Sequence, residues 1–255
     1  MSNYCDFASV YDLLTSEIDY EKRAKYFDEV VLKHGGFHGI LLDLGCGTGK
    51  LSEALNALGY DVIGVDNSDE MLSVALEKKF ENGNDIIYIN QDMTSLDLYG
   101  TVDVAVSALD SLNHLIDYND FCTALKKVSL FLHPDGVFVF DVNTVFKHQQ
   151  VLSNNTFVYD YGDVYCVWQN SLKEDNTVLM NLDIFVSENG EEYLRMEDNF
   201  AERAYTTTQI EKALENAGLY ICAVYGEDSF NTPRDDEQRL IYVVKHTENY
   251  KSCLR

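Results

Sequence analysis

Residues 41–49 read Leu41-Leu42-Asp43-Leu44-Gly45-Cys46-Gly47-Thr48-Gly49, an apolar run that passes directly into three alternating glycines. The apolar half, with Ile40 before it, is typical of a short strand buried on both faces. Glycines after a strand permit positive φ angles and let the backbone approach a ligand without an intervening Cβ. Apolar residues then recur at helical spacing, at Leu51, Ala54, Leu55 and Leu58. The stretch therefore predicts a strand, a ligand-binding loop and a helix in succession.

Strands and helices alternate along most of the chain around this loop. Apolar runs predict further strands at 62–65, 86–89, 102–107, 137–140, 220–225 and 240–245, with helices between them. Such alternation predicts parallel strands joined by right-handed crossovers, and hence an α/β fold with a doubly wound sheet. Ligands of such sheets bind at the carboxyl ends of the strands, where the glycine loop lies.

The alternation is interrupted between residues 144 and 203. Short β-like runs at 156–161, 164–169, 178–186 and 192–196 predict an antiparallel β insertion. We therefore divide the chain into an N-terminal helical arm at 1–39, a cofactor-binding core at 40–143 and 204–246, and the insertion at 144–203. We expect the insertion to form a substrate lid or an oligomer surface, with Trp168 and Arg203 as candidate pocket residues.

Composition narrows the range of partners. The chain of 255 residues carries 43 Asp and Glu against 19 Lys and Arg, a formal net charge of −24. Nucleic acids and anionic membranes repel such a protein, whereas cationic or neutral small molecules do not. The N-terminus lacks the basic start of a signal peptide, and no apolar run approaches the ~18 residues of a membrane span.

The spacing of the cysteines indicates the redox environment of the protein. The six cysteines are widely scattered and form no CxxC pair. This pattern argues against a zinc site and against a disulfide framework, and fits a reducing cytoplasm. We therefore expect a cytoplasmic monomer or homodimer without a metal site, which acts on a small molecule and binds neither nucleic acid nor membrane.

Three ligands compete for the glycine loop. A phosphate-binding P-loop requires Gly-Lys followed by Ser or Thr, but Leu51 follows Gly49-Lys50. A dinucleotide-binding loop requires a third glycine at the position of Lys50. The spacing Asp43-x-Gly45-x-Gly47-x-Gly49 instead resembles motif I of the class I S-adenosylmethionine-dependent methyltransferases.

Two further acidic residues follow strands in the expected order. Asp66 ends the second predicted strand, where its carboxylate can accept hydrogen bonds from both hydroxyls of a ribose. Asp92 follows the third predicted strand. Each alone is more typical of a strand-end cap or a turn. Together with the glycine loop they favour a bound nucleoside.

The resemblance covers about residues 40–143 and 205–245. It implies a seven-stranded, mostly parallel, Rossmann-like sheet whose last strand is antiparallel. It also implies S-adenosylmethionine as cofactor and S-adenosylhomocysteine as product. By this resemblance Asp43 and Gly45 lie at the methionine end, Asp92 accepts from the adenine amino group and Met71 lies near the adenine. The predicted cofactor site comprises Tyr20, Asp43, Gly45, Cys46, Gly47, Asp66, Asn67, Met71, Gln91, Asp92, Met93 and Leu109.

The loop after the fourth predicted strand is expected to face the methyl group. His114 titrates near neutrality and could remove a proton from an incoming amine or hydroxyl. It could equally cap the following helix or pack on the cofactor, because methyl transfer does not require a base. Asp110 is a candidate for orienting the acceptor, or for satisfying N–H groups of its own loop.

The N-terminal arm adds a second resemblance. Tyr11-Asp12-Leu13-Leu14, and Asp19-Tyr20 at a predicted helix start, look like the arm of small-molecule N-methyltransferases, including those that methylate amino groups of nucleotide-linked sugars. In that group Tyr11, our third catalytic candidate, and Tyr20 would cover the site and face a cation. We therefore expect an S-adenosylmethionine-dependent methyltransferase that prefers an amine acceptor. A hydroxyl or carboxyl acceptor, and a non-catalytic cofactor-binding module, are the alternatives.

Overall fold

The computed structural model describes residues 7–187, 190 and 192–247. Residues 1–6 of the predicted arm, and 188, 189 and 191 of the predicted insertion, lie outside the described residues. The helices are α1 (Phe7–Leu14), α2 (Tyr20–Lys33), α3 (Lys50–Ala57), α4 (Asp69–Asn82), α5 (Tyr118–Phe131) and α6 (Thr207–Asn216). The strands are β1 (Ile40–Leu44), β2 (Asp61–Asp66), β3 (Ile87–Asn90), β4 (Val102–Ser107), β5 (Leu132–Asn143), β6 (Thr156–Asp160), β7 (Val164–Leu172), β8 (Thr177–Val186), β9 (Leu194–Arg203), β10 (Leu219–Gly226) and β11 (Arg239–His246).

The larger sheet has seven strands in the order β10-β11-β5-β4-β1-β2-β3. Neighbours pair in parallel except for β11, which runs antiparallel to both β5 and β10. Within it β1 lies between β2 and β4, with Leu42 opposite Ile63 and Ala105. This confirms the predicted doubly wound sheet with an antiparallel last strand.

Apolar side chains bury both faces of this sheet. On one face Leu42 belongs to a buried cluster with Leu125 of α5, and on the other Leu41 belongs to a cluster with Phe27 of α2. A strand covered on both faces reads as a continuous apolar run, because neither face has to favour water. The apolar run at 40–44 therefore predicts a strand in the middle of the sheet.

The insertion forms a separate antiparallel sheet of four strands, in the order β6-β7-β8-β9. Apolar side chains of this sheet, among them Met180 and Ile184, share a buried cluster with Val10 of α1. The N-terminal arm therefore packs on the insertion as well as on the core. None of the described helices is both long and apolar enough to span a membrane.

The last strand of the insertion differs from the sequence prediction. Instead of a run at 192–196, β9 continues to Arg203. Asp198, Phe200 and Glu202, at alternate positions of β9, line a cavity. Two of these three positions are acidic, so the period-two apolar signal is lost. The sequence did not predict residues 197–203 of this strand, because their inner face borders a cavity.

Candidate active site

The glycine loop after β1 has the backbone geometry that its composition predicts. Gly45, Gly47 and Gly49 have φ angles of 79°, 53° and 78°. The N–H groups of Gly45 and Cys46 both donate to the carbonyl of Val65 at the end of β2, at 2.7 and 3.0 Å. A Cβ on Gly45 would lie 2.6 Å from Cβ of Ser111, whereas a Cβ on Gly47 would meet no atom within 4 Å. The loop is therefore fixed to the sheet and presents bare backbone to open space at Gly47.

Asp66 at the end of β2 is held by the backbone around it. Its Oδ2 accepts the N–H of Gly47 at 2.8 Å, and its Oδ1 accepts the N–H of Ser68 at 3.0 Å. Each carboxylate oxygen has two acceptor directions, so both oxygens keep one for a ligand. The carboxylate lines the cavity beside the glycine loop. This geometry suits a ligand with two adjacent hydroxyls.

Asp43 is buried near the carboxyl end of β1, with 1% of the residue exposed. Burial raises its pKa to about 6, although the hydroxyl of Ser52, which donates to it at 2.5 Å, opposes the shift. A buried carboxylate that is costly to ionise is stabilised by a nearby cation. Asp43 borders the same cavity, where a cationic ligand would supply that charge.

The residues after β3 form a tight turn at the far side of the cavity. Asp92 Oδ1 accepts from the N–H and the hydroxyl of Thr94, and these bonds lower the pKa of Asp92. The side chain of Gln91 bonds to the backbone N–H and carbonyl of Asp97, at 2.9 and 3.0 Å. Gln91 therefore shapes the turn with its side-chain amide, while Asp92 keeps acceptor capacity toward the cavity.

The loop after β4 is strained and held in place by a buried carboxylate. Leu109 and Asp110 have positive φ angles of 56° and 60°, which are costly for residues with a Cβ. Their N–H groups both donate to Asp141 at the site end of β5, at 2.8 and 2.7 Å. Ser111 Oγ lies 3.2 Å from the carbonyl oxygen of Gly45. Asp141 thus fixes this loop, and Ser111 brings it against the glycine loop.

Arg239 of β11 is the cation that pairs with the carboxylates around this loop. Its guanidinium contacts Asp141 at 2.5 Å, Asp110 at 2.9 Å and Glu227 at 3.2 Å. Burial alone would raise the pKa of Asp110, but Arg239, Lys147 and His114 hold it well below its usual range. Asp110 is therefore an engaged, ionised carboxylate, and its role in orienting an acceptor stays a prediction.

His114 follows Asp110 at the end of a short turn and borders the cavity with 48% of its side chain exposed. Its ring lies 5.5 Å from that of Phe200, centroid to centroid, and its Nε2 lies 3.9 Å from Oε1 of Glu202. Both partners belong to β9. The insertion therefore contributes a buried carboxylate beside the predicted base, which the sequence pattern did not indicate.

Residues of the N-terminal arm form one wall of the cavity. Asp12 accepts a hydrogen bond from Thr48 Oγ1 at 2.6 Å and pairs with Lys50 and Lys78. On the same helix Tyr11 is half-buried, and burial of its hydroxyl raises its pKa far above the usual range. The ring of Tyr20 lies 5.4 Å below Lys50 Nζ. The cation that faces Tyr20 in the structure is thus a lysine of the protein.

All of the predicted catalytic and cofactor residues line one cavity of about 850 Å³. Trp168 lines it too, and its Nε1 donates to Asn170 Oδ1 at 2.7 Å. The expectation for Arg203 is wrong, because its guanidinium donates to the carbonyl of Ile116 at 3.0 Å and lies over the ring of Tyr205. Further lining residues that the sequence did not single out are Lys147, Tyr159, Asp198, Phe200, Glu202 and Arg239.

Comparison with known proteins agrees with this geometry. The family described as "Methyltransferase domain" matches residues 41–136. YqeM of Bacillus subtilis (strain 168), which carries a methyltransferase name, is 32% identical over 251 residues, 98% of this chain and 99% of YqeM. The crystal structure of an S-adenosylmethionine-dependent methyltransferase from Clostridium acetobutylicum ATCC 824 is 35% identical, with a TM-score of 0.87 over 96% of this chain and 99% of that one.

A more distant structure shares the fold alone. The sugar N-methyltransferase KedS8 from Streptoalloteichus sp ATCC 53650 is 20% identical, with a TM-score of 0.77 over 97% of each chain. A nucleoside-binding sheet edge with a motif I glycine loop defines a class I methyltransferase. The chain belongs to the S-adenosylmethionine-dependent methyltransferase family and uses S-adenosylmethionine as its methyl donor.

The residues present fit this donor. The open space beside Gly47 admits a ligand against bare backbone, where a Cβ would stand in the way. The free acceptor directions of Asp66 suit ribose hydroxyls, and buried Asp43 gains from a nearby cation. S-adenosylmethionine combines a ribose, an ammonium group and a sulfonium, so its chemistry matches the cavity wall.

Proposed function

We propose that the enzyme transfers the methyl group of S-adenosylmethionine to a small-molecule amine. The observation that carries this proposal is the acidic and aromatic wall that β9 adds to the cavity. There Asp198 lies on the same strand as Phe200, and Trp168 and Tyr159 lie on other strands of the same sheet. Carboxylates attract an ammonium ion, and each aromatic face adds ~0.5–2 kcal/mol to binding a cation.

Asp198 is the acidic residue of this wall that most favours a bound cation. Burial raises its pKa, and the N–H of Asn199, which donates at 2.9 Å, opposes the shift only in part. Within the described part of the chain Asp198 forms no ion pair, in contrast to Asp183 on β8, which pairs with Arg195. A bound ammonium would supply the missing charge. KedS8, a sugar N-methyltransferase of the same fold, also supports an amine acceptor.

The roles of the residues follow from their positions. The backbone at Gly45 and Gly47 would hold the methionine end of the cofactor, Asp66 the ribose and Asp92 the adenine. When bound, the cofactor supplies an electrophilic methyl group on a sulfonium sulfur. The wall of β9 and Tyr11 of the arm exclude water and align the acceptor, which is the main requirement for in-line transfer.

The acceptor has to lose a proton before it attacks, because an ammonium nitrogen has no free electron pair. His114 borders the cavity and can take that proton. The N–H electron pair then stays on nitrogen as the attacking pair. The same base could activate a hydroxyl group, so the position of His114 supports O-methylation as the second candidate.

Matched acceptors separate the two candidates. We would incubate the protein with S-adenosylmethionine and either benzylamine or benzyl alcohol, and either glucosamine or glucose, and follow the gain of one methyl by mass spectrometry. The proposal expects transfer to the amine of at least one pair, and none to its hydroxyl analogue. Preference for the hydroxyl partner, or binding of S-adenosylhomocysteine without transfer to any amine, would contradict it.

We also propose a location, an oligomeric state, a set of partners and a division of roles among the segments. The free state of Cys46, Cys122, Cys166 and Cys222 supports work in a reducing cytoplasm. We propose that the enzyme is a monomer or homodimer there, and that neither nucleic acid nor membrane is its partner. We also propose that segments 1–39, 40–143 with 204–246, and 144–203 act as arm, cofactor core and substrate lid. The cavity receives residues from all three segments.

A further inference from the structure

Glu202 is a buried carboxylate between two histidines. Its side chain is 4% exposed, with Oε1 3.9 Å from Nε2 of His114 and Oε2 3.7 Å from Nε2 of His148. Asn143 Nδ2 donates to Oε2 at 2.9 Å. His114 faces the cavity, whereas His148 is fully buried in a π-helical turn after β5. The carboxylate therefore connects the exposed imidazole to the protein interior.

The buried histidine lies at the inner side of Glu202 without a hydrogen bond to it. Nδ1 of His148 lies 2.8 Å from the carbonyl oxygen of Asn176 and, since a carbonyl only accepts, Nδ1 carries a hydrogen. Nε2 of His148 is buried and has no hydrogen-bond partner within the described residues. The charged atom that it faces is Oε2 of Glu202, at 3.7 Å. Asn143 thus holds one oxygen of the carboxylate, and the other is directed at His114.

The other charged groups around Glu202 are bound elsewhere. Lys147 Nζ donates to Asn143 Oδ1 at 2.8 Å. Asp110, on the loop that also carries His114, accepts from Asn143 Nδ2 at 2.7 Å and from Arg239 at 2.9 Å. Arg203, next to Glu202 in β9, faces Asp175 at 3.7 Å. Of the groups packed around it, His114 is the one that Oε1 of Glu202 faces.

We propose that Glu202 is a positioning residue for His114, an inference that rests on the proposed function. Oε1 faces Nε2, so the carboxylate favours the ring form that carries hydrogen on Nε2 and keeps the lone pair on Nδ1. Nδ1 then accepts the proton of the incoming ammonium, and the imidazolium that results is stabilised by Glu202. The separation of 3.9 Å is too long for a hydrogen bond, so the proposed role requires the ring of His114 to turn toward Glu202.

Kinetics of paired variants test the role of Glu202. Glu202→Gln removes the charge and keeps the shape, and we expect kcat to fall about tenfold or more, with KM for the amine within about twofold. In a His114→Ala background the same change is expected to have no further effect. Glu197→Gln is the matched control, because Glu197 lies on the same strand, exposed and paired with Arg195. Thermal melts establish that each variant is folded.

Nitrogen NMR of the histidine rings gives a second measurement that needs no acceptor. We expect the neutral His114 ring of the native protein to carry hydrogen on Nε2, and Glu202→Gln to weaken this preference. The His114→Ala spectrum assigns the signal. Glu197→Gln is expected to leave the His114 signal unchanged.

The outcomes of these experiments distinguish the positioning role of Glu202 from the base role of His114. A rise in KM without a change in kcat would show that Glu202 binds the acceptor directly and would overturn the positioning role. So would an additive loss in the His114→Ala background. If His114→Ala leaves kcat unchanged while the ring form still depends on Glu202, the base assigned to His114 under the proposed function fails, and the contact between the two residues stands.

Discussion

Asp66 shows how one side chain serves both the fold and the site. Its two oxygens accept backbone N–H groups from Gly47 of the glycine loop and from Ser68, which caps α4. The carboxylate thereby fixes the loop that would hold one end of the cofactor. The acceptor directions that remain would bind the ribose. Loss of its charge is therefore expected to affect binding more than folding.

Asp66→Asn is expected to weaken binding of S-adenosylhomocysteine roughly 10- to 100-fold, since hydrogen bonds to a charged group contribute ~1.5–3 kcal/mol. The amide would also direct a donor at one of the N–H groups that the carboxylate now accepts. Isothermal titration calorimetry measures the change. Asp61→Asn, at the exposed start of the same strand, is the control. Equal affinities for Asp66→Asn and the native protein would exclude the ribose contact.

Asp43 makes stability depend on pH in a definite direction. Burial raises its pKa from 3.8 to about 6 in the folded protein. Between these values the folded state holds the proton more tightly than the unfolded chain. Asp43 therefore contributes stability that is fully present below pH 3.8 and is lost as pH rises through 6.

Asp43→Asn removes this loss. The free energy of unfolding of the variant minus that of the native protein is expected to rise by about 2–3 kcal/mol between about pH 4 and pH 7. Above about pH 7 this difference is expected to stay level. Urea unfolding at a series of pH values measures the difference, and comparison of the two proteins cancels the other carboxylates. A difference that is constant with pH would mean that Asp43 ionises as freely as in the unfolded chain.

Among the elements, the loop after β4 depends on a strand that lies far from it in sequence. Leu109 and Asp110 keep positive φ angles because Asp141 accepts both of their N–H groups, and Arg239 of β11 neutralises Asp141. The strain in this loop is thus offset by an ion network beneath it. Strain retained at a candidate catalytic loop fixes the direction of the groups that it carries.

Arg239→Met is expected to destabilise the protein by about 3–5 kcal/mol, because it takes away the principal cation of buried Asp141 and of Asp110. Asp141 keeps Arg23, whose Nη1 lies 3.5 Å away. Urea unfolding measures the loss. Arg234→Gln, which removes an exposed surface pair, is the control and is expected to change stability by less than about 0.5 kcal/mol. A loss below about 1 kcal/mol for Arg239→Met would mean that the network contributes little.

What the sequence predicts of these elements depends on whether the signal is local. The strand at 40–44, the glycine loop and Asp66 follow from neighbouring residues, because apolar runs and glycines act over a few positions. The contact between Arg239 and Asp141 spans 98 positions, and no local pattern pairs them. Glu202 was missed for a related reason, since an acidic residue within a charged strand reads as a solvent-facing one.

At the scale of the molecule, the cavity is closed by three segments that meet only in the folded chain. The apolar side of α1 packs on the insertion through Val10, while Asp12 contacts Thr48 of the glycine loop and Lys78 of α4. The arm therefore joins the insertion to the glycine loop. Occupancy of the cofactor site and closure of the arm are expected to support each other, because both depend on the same loop.

Asp12→Asn tests this connection. It weakens the contacts with Thr48, Lys50 and Lys78, and partly exposed pairs of this kind contribute about 1 kcal/mol. We expect S-adenosylhomocysteine to bind about threefold to tenfold more weakly, and the amides of α1 to exchange hydrogen faster by mass spectrometry.

Glu21→Gln, which breaks an exposed pair with Lys25 within α2, is the control and is expected to change neither measurement. The difference between Asp12→Asn and the native protein is expected to shrink at ~1 M salt, where charges are screened beyond ~3 Å. Faster exchange in α1 with unchanged affinity would show that the arm covers the cavity without supporting the cofactor loop. Unchanged exchange would show that the packing of Val10 on the insertion holds the arm by itself, because the charged contacts would then be dispensable for closure.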